Sequence, residues 1–414
     1  MSRVLPYTTI FPLVVRDIFA RCITHPGLRH SVLCISSMIA DHWLKRPMDR
    51  FHFQYITSLQ KIQHAIRDMF LDEPITIAVF FILWIDAIRG DLWASRKHAR
   101  GLYLILQELQ KRYRQSDTWG DQDPQILIDE SGSTVGITTL IMQIWRMAIR
   151  VDVSTSMFLV QRPVFPSVAV ESQDLHRNWI RDSTPDHGST EWALATFALD
   201  NLLHRACHVA CQARTMRRSP SYNPDLEFQI LQATNELAHQ NREWFQRVVV
   251  RAAEANEQAA QLDGGTSGST APDFSDTFLE FPRRLVKNVF YANLVMYAYA
   301  VSIYISLIAY PKIGSTGVRQ RYSDAVEMCK ILASLGEGSS EMSASSRVLI
   351  LFLVGVAFGG LRQSRRETEF VKARVTELVR MFPLMKDAVA AYQAVWEGEG
   401  DFWDAMDDVQ QALC

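Results

Sequence analysis

From Val289 to Tyr310 the chain runs for about 22 residues without a charged side chain. No other feature narrows the choice of fold as sharply. A stretch of that length either crosses a bilayer or forms a helix buried on every side in a bundle. Its own residues decide between the two. Asn293, Ser302 and Ser306 interrupt it, and Tyr291, Tyr297, Tyr299 and Tyr304 are spread through its interior. In a spanning helix tyrosines gather at the two rims. The reading is therefore a buried helix, and no membrane is expected among the partners. Exposure of residues 289–310 would instead suit a peripheral membrane protein. Residues 348–361 are apolar as well, but about 14 residues fall short of a span.

The remainder reads as helix after helix. Tyr55 to Phe70 places Ile56, Leu59, Ile62, Ile66, Met69 and Phe70 at helical spacing. Asp72-Glu73-Pro74 is a start signal, and Arg89-Gly90 a stop, for a helix apolar on all sides. Trp93 to Tyr113 gathers Leu102, Ile105, Leu106 and Leu109 on one face. Ser116–Gly132 reads as a polar loop. Thr138–Val160 resumes helix and stops at Arg162-Pro163-Val164-Phe165-Pro166, where two prolines force an extended exit. Residues 167–189 read as loop and Trp192–Met216 as helix. Asn223-Pro224 starts a long helix from Asp225 to about Gln261. The Gly- and Ser-rich stretch 262–273 reads as a flexible loop. Further helices are expected at 283–310, 319–335, 343–361, 364–381 and 384–396. No alternating strand pattern of useful length occurs. The expected fold is all-α, a large multi-helix array with no significant β-sheet.

Several function classes are disfavoured. With 43 Lys and Arg against 45 Asp and Glu, the net charge is −2, not the basic excess of a free-standing nucleic-acid binder. The six cysteines, Cys22, Cys34, Cys207, Cys211, Cys329 and Cys414, are too sparse for a disulfide framework. The N-terminus has no clean signal peptide, so an intracellular, reducing location is expected. There is no phosphate-cradling G-x-x-x-x-G-K-[ST], no G-x-S-x-G and no H-E-x-x-H. Asp407-Asp408 is the one paired aspartate and reads as a solvated helix end. No catalytic residue and no cofactor-binding residue is assigned, and the chain reads as a non-enzyme.

The stretch HRACHVAC offers weak metal candidates. His204, Cys207, His208 and Cys211 fall at i, i+3, i+4 and i+7, on one helix face. Residue types suit zinc, but the four span about 10 Å along the axis, too far to share one ion. A core-facing stripe is the expected reading.

A family resemblance enters through several stretches. His25-Pro26-Gly27-Leu28-Arg29-His30 followed by Ser31–Ser37, the helix from Tyr55 to Ile66, and the apolar Ile77–Ile88 helix closing on Arg89-Gly90-Asp91 form the first part. Trp93 with His98-Ala99-Arg100-Gly101-Leu102 follows. Arg150-Val151-Asp152-Val153-Ser154, leading to Gln161-Arg162-Pro163-Val164-Phe165-Pro166, completes it. In order and spacing, residues 25–166 resemble the regulatory, fungal-specific transcription factor domain of fungal zinc-cluster transcription factors. From 190 to 396 only helical texture agrees. The signature residues Trp93, His98, Gly101, Asp152, Arg162, Pro163, Phe165 and Pro166 read as packing positions. His98 and Gly101 suggest a close helix crossing, and Arg162-Pro163 a fixed corner.

The resemblance implies one helical regulatory domain over 1–414. Residues 1–166 are its best-matching part, and 190–414 form a C-terminal helical part containing the loop 262–273. It implies a nuclear location and transcriptional regulation through other regulators, the transcription machinery or a small-molecule effector, and it is compatible with a homodimer. Zinc belongs to the cluster that precedes this domain in the family, and these 414 residues carry no such cluster. Direct DNA reading by the chain is therefore not expected. The alternative is a helical enzyme or accessory protein of fungal specialised metabolism with a buried apolar pocket. At the C-terminus, Trp396 to Asp408 mixes aromatics with six acids. It reads as a final helix docked through Trp403 and Met406, with an acidic activation segment as the alternative.

Overall fold

The computed structural model describes residues 11–44, 46–68, 70–115, 133–166, 187–221, 223–262, 289–311, 318–334, 344–358, 365–381, 402–404 and 406–407. Among these there are twelve extended helices and no strand. They are α1 (Phe11–Thr24), α2 (Pro26–Trp43), α3 (Asp49–Arg67), α4 (Glu73–Arg89), α5 (Leu92–Gln115) and α6 (Ser133–Leu159). Next come α7 (His187–Arg218), α8 (Pro224–Leu262), α9 (Val289–Ala309), α10 (Val318–Ser334), α11 (Ala344–Phe358) and α12 (Arg365–Met381). The protein is an all-α multi-helix array. The expected loop at 116–132 and the expected helix at 384–396 lie outside the described residues, as does the expected loop 262–273 apart from Leu262, which is still helical. The helix expected from Trp192 begins earlier, at His187, and takes in Gly188. The helices fall into two compact units that part between Asp200 and Asn201, inside α7.

The first unit is built around α4. Asp72 caps it, its carboxylate accepting the Ile75 N–H at 2.9 Å, and Pro74 sits in the first turn. Such a cap is worth about 1 kcal/mol. At the other end Gly90 adopts φ 80°, and its N–H and that of Asp91 return to the carbonyls of Ala87 and Asp86. Only glycine takes that left-handed turn without a Cβ clash. Between the two caps nearly every residue is buried, Asp86 included. Helices α2 and α3 pack on one another, and α2, α5 and α6 all pack on α4. Gly27 permits the approach of α2: a Cβ placed there would lie 3.4 Å from Ile75 Cδ1.

The second unit is centred on α9, the uncharged stretch that dominates the sequence. From Leu294 to Ile308 its side chains are buried or nearly so, against α8, α10 and α11. No described helix is long and apolar enough to cross a membrane. Two polar contacts tie it to its neighbours. Ser302 Oγ donates to Asp324 of α10, and buried Asn241 of α8 donates to the Ala298 carbonyl at 3.1 Å. Phe402, Trp403 and Met406 are buried, the Phe402 N–H reaches the Pro311 carbonyl, and Arg214 and Arg218 both grip Asp407. Phe402, Trp403, Met406 and Asp407 are thus docked onto the helices, while Asp404 is exposed.

Candidate functional site

Two buried carboxylates organise part of the signature in the N-terminal unit. The first is Asp152, on α6 and fully buried. Its Oδ2 accepts the backbone N–H groups of Val164 and Phe165 at 2.7 and 2.9 Å. Ser156, one turn on, donates to its other oxygen. Arg96 of α5 closes the junction, donating to Ser156 Oγ at 3.1 Å and to the Arg162 carbonyl at 2.7 Å. Phe165, held by its own backbone, is fully buried against Tyr103 and Trp145. Pro163 is buried, Pro166 half-buried and the Arg162 side chain exposed. Arg162 thus contributes its carbonyl to the corner. Burial pushes the Asp152 carboxyl up to about 6, against the pull of the two backbone amides, Arg96 and Ser156.

A left-handed residue starts the corner. Val160 has φ 46°, and it and Gln161 return their N–H groups to Met157 and Ser156. The same cap is made by Gly90 at the end of α4, but a β-branched residue at this φ is strained. Burial of Val160 and the clasp on the next residues hold it there.

The second carboxylate is Asp86, on α4 and fully buried. Tyr55 donates to its Oδ1 at 2.8 Å, and His98 Nδ1 lies 2.7 Å from its Oδ2. With the carboxylate oxygen accepting, His98 Nδ1 is the donor of this contact. Arg89 stands 3.9 Å from Asp86 and lies over the rings of Phe51 and Tyr55, 5.3 Å from each. Burial, with Asp86 alongside, drives the Tyr55 phenol upward. The buried Cys34 thiol is pushed up to about 12 by desolvation. A histidine oriented by a buried carboxylate can serve as a base or a metal ligand. Among the described residues no hydroxyl or thiol is hydrogen-bonded to Nε2, and what the pair visibly does is join α4 to α5 and α3.

Trp93 is half-buried, with its indole nitrogen enclosed. Gly101 corrects the sequence reading. Among the described residues a Cβ there would meet nothing within 4 Å, so no described helix crosses closely at that point. The close approach belongs to Gly27, whose spacing to Ile75 could not be read from the chain alone.

In the second unit, His204 and Cys207 are buried and His208 and Cys211 half-buried. The imidazoles of His204 and His208 are tilted 42° to one another with centroids 4.9 Å apart, and Cys207 and Cys211 lie by the enclosed Tyr304 of α9, whose phenol burial pushes well up. Among the described residues no group of three or more His, Cys, Asp or Glu is arranged to hold a metal ion. Nearby on α10, Asp324 accepts from Ser302 at 2.7 Å and Gln320 at 2.9 Å. Burial takes its carboxyl to about 7. Arg321, also buried, donates to the Tyr310 carbonyl and is lowered to about 10.

Sequence reasoning missed Asp86, Arg96 and Asp324. Asp86 left one signal, as the lone acid inside an otherwise apolar helix. Arg96 and Asp324 sit on amphipathic helices where a charge raises no flag. Searches of family models, curated proteins and solved structures found no match to this chain.

Proposed function

We propose that the chain is a regulatory body of the kind found in fungal zinc-cluster transcription factors, acting in the nucleus through contacts with other proteins or an effector between its helices. One observation carries this reading. The segments whose order bears the resemblance, 93–102 and 150–166, are tied into a single junction by Asp152, Arg96 and the Arg162–Phe165 backbone. Residues that look like a family signature therefore act together as a physical unit, as packing signatures should. Their hydrogen-bonding capacity goes into building this junction. In this reading zinc and base recognition belong to a separate module, and the chain supplies the regulated surface.

The test fuses the full chain to a heterologous DNA-binding module and reads a reporter carrying that module's site, with the fusion's location followed by fluorescence. Reporter output should shift severalfold, up or down, from a nuclear fusion. A nuclear, folded fusion that leaves output unchanged, or a native chain that never enters the nucleus, overturns the proposal.

A further inference from the structure

Charge is unevenly placed in this chain. Residues 18–70 carry seven Lys and Arg but three acids, although the whole chain is at −2. One cation, Arg21, is paired with Glu73, and of the acids only Asp49 is exposed without an ion pair among the described residues. Asp41 is buried, Asp68 lies 2.7 Å from His64, and Asp49 sits in the first turn of α3. A second observation is independent of charge. Of the eleven large hydrophobic side chains exposed among the described residues, eight lie in this same stretch.

The two patterns coincide along the seam between α2 and α3. These helices run antiparallel, with Ser31 against Ser58 and Cys34 against the Phe51 carbonyl. His30 Nδ1 and Gln54 Oε1 bridge the seam at 2.7 Å. On the same two helices Leu33, one turn on from His30, and Phe53, which precedes Gln54, are 41% and 64% exposed. Arg29, Arg50 and Lys61 are exposed around them, and among the described residues none of the three is in an ion pair.

Single exposed apolar residues need no explanation, but a concentration rimmed by one sign of charge marks a recognition surface. Complementarity then defines the partner. Carboxylates must meet the three cations, and apolar side chains must cover Leu33 and Phe53. A groove between two helices accepts a third helix, which offers such residues at i, i+3, i+4 and i+7. A lipid surface favours a convex apolar face, and a DNA duplex presents a charged backbone with no apolar side chains to cover both Leu33 and Phe53. We propose that the α2–α3 seam is a docking groove for an acidic amphipathic helix of another protein. The assignment goes beyond the transcriptional reading and stands if that reading fails.

The probe is a fluorescein-labelled acidic peptide about five helical turns long, with Leu and Phe on one face and Glu on the other. It is titrated with the full chain by anisotropy. Its Glu→Lys counterpart, phosphatidylserine–phosphatidylcholine vesicles and a short DNA duplex are run beside it. The acidic peptide should bind, and Phe53→Ser or the pair Arg50→Glu and Lys61→Glu should weaken it about tenfold, roughly 1.4 kcal/mol. Phe228→Ser, an exposed apolar change on α8, should leave binding within about twofold. All these positions are exposed, and circular dichroism confirms that each variant is folded. Equal binding of the Lys peptide, no loss in the seam variants, or tighter binding of vesicles or duplex with the same losses overturns the assignment. None of these outcomes bears on the reporter experiment.

Discussion

Asp152 and Phe165 lie thirteen residues apart, and the side chain of one holds the backbone of the other at 2.9 Å. The ring of Phe165 then fills the space beside Tyr103 and Trp145. The carboxylate thus positions an aromatic plug without touching its ring.

Removing that carboxylate should be costly. Asp152→Ala leaves two backbone N–H groups short of an acceptor, and each such loss costs about 1–3 kcal/mol. Asp152→Asn keeps an acceptor oxygen and should cost less than half as much. Urea unfolding followed by Trp fluorescence would rank the two, and equal losses would contradict the clasp.

The two raised carboxyls give stability a definite pH dependence. Both groups rise from an ordinary 3.8, Asp152 to about 6 and Asp324 to about 7. The folded chain therefore holds protons that the unfolded chain has released. Their contribution is fully present below about 4 and is lost as pH climbs through 6 and 7. Asp324→Asn should remove up to about 1.4 kcal/mol per pH unit of that decline near pH 5–6. Unfolding midpoints measured from pH 4.5 to 8 on both proteins would show it.

The Asp86 node predicts a ranking. Asp86→Ala strips partners from Tyr55, His98 and Arg89 at a fully buried position and should cost about 3 kcal/mol or more. Tyr55→Phe removes one donor of two and should cost about 1–2 kcal/mol. Denaturant midpoints decide the order, which reverses if His98 and Tyr55 are well solvated without Asp86.

Gly101→Ala should stabilise the chain by about 0.5–1 kcal/mol, because helix propensity improves and the added methyl meets nothing within 4 Å. Gly27→Ala gains less or nothing, since its methyl would sit against Ile75 at 3.4 Å with no room to spare. Thermal unfolding of the pair separates open space from close packing.

Thiol accessibility gives a further check. In a brief iodoacetamide pulse on the folded protein, half-buried Cys211 and Cys329 should label before buried Cys34 and Cys207. Equimolar zinc should leave the Cys211 rate unchanged, and protection by zinc would revive HRACHVAC as a metal site.

The sequence spoke clearly where a local rule sets the outcome. Asp72, Pro74 and Gly90 bracket α4 as capping chemistry requires. From Leu294 to Ile308 the uncharged stretch is enclosed, as its dispersed tyrosines indicated. Silence fell where the outcome depends on two distant residues meeting. Asp86 and His98 are twelve apart with a glycine turn between them, and no periodicity pairs them. Val160 in the left-handed region contradicts its own preference, so only the surrounding clasp accounts for it. Gly101 shows the reverse error, a glycine that looked purposeful in a motif and has empty space beside it.

The enclosure of α4 has a kinetic side. A helix with no solvent-facing flank cannot fray inward from an exposed edge, and its amides are reached only when neighbouring helices leave. In deuterated water the protons of α4 should therefore be among the last of the first unit to exchange, at a rate set by opening of the unit as a whole.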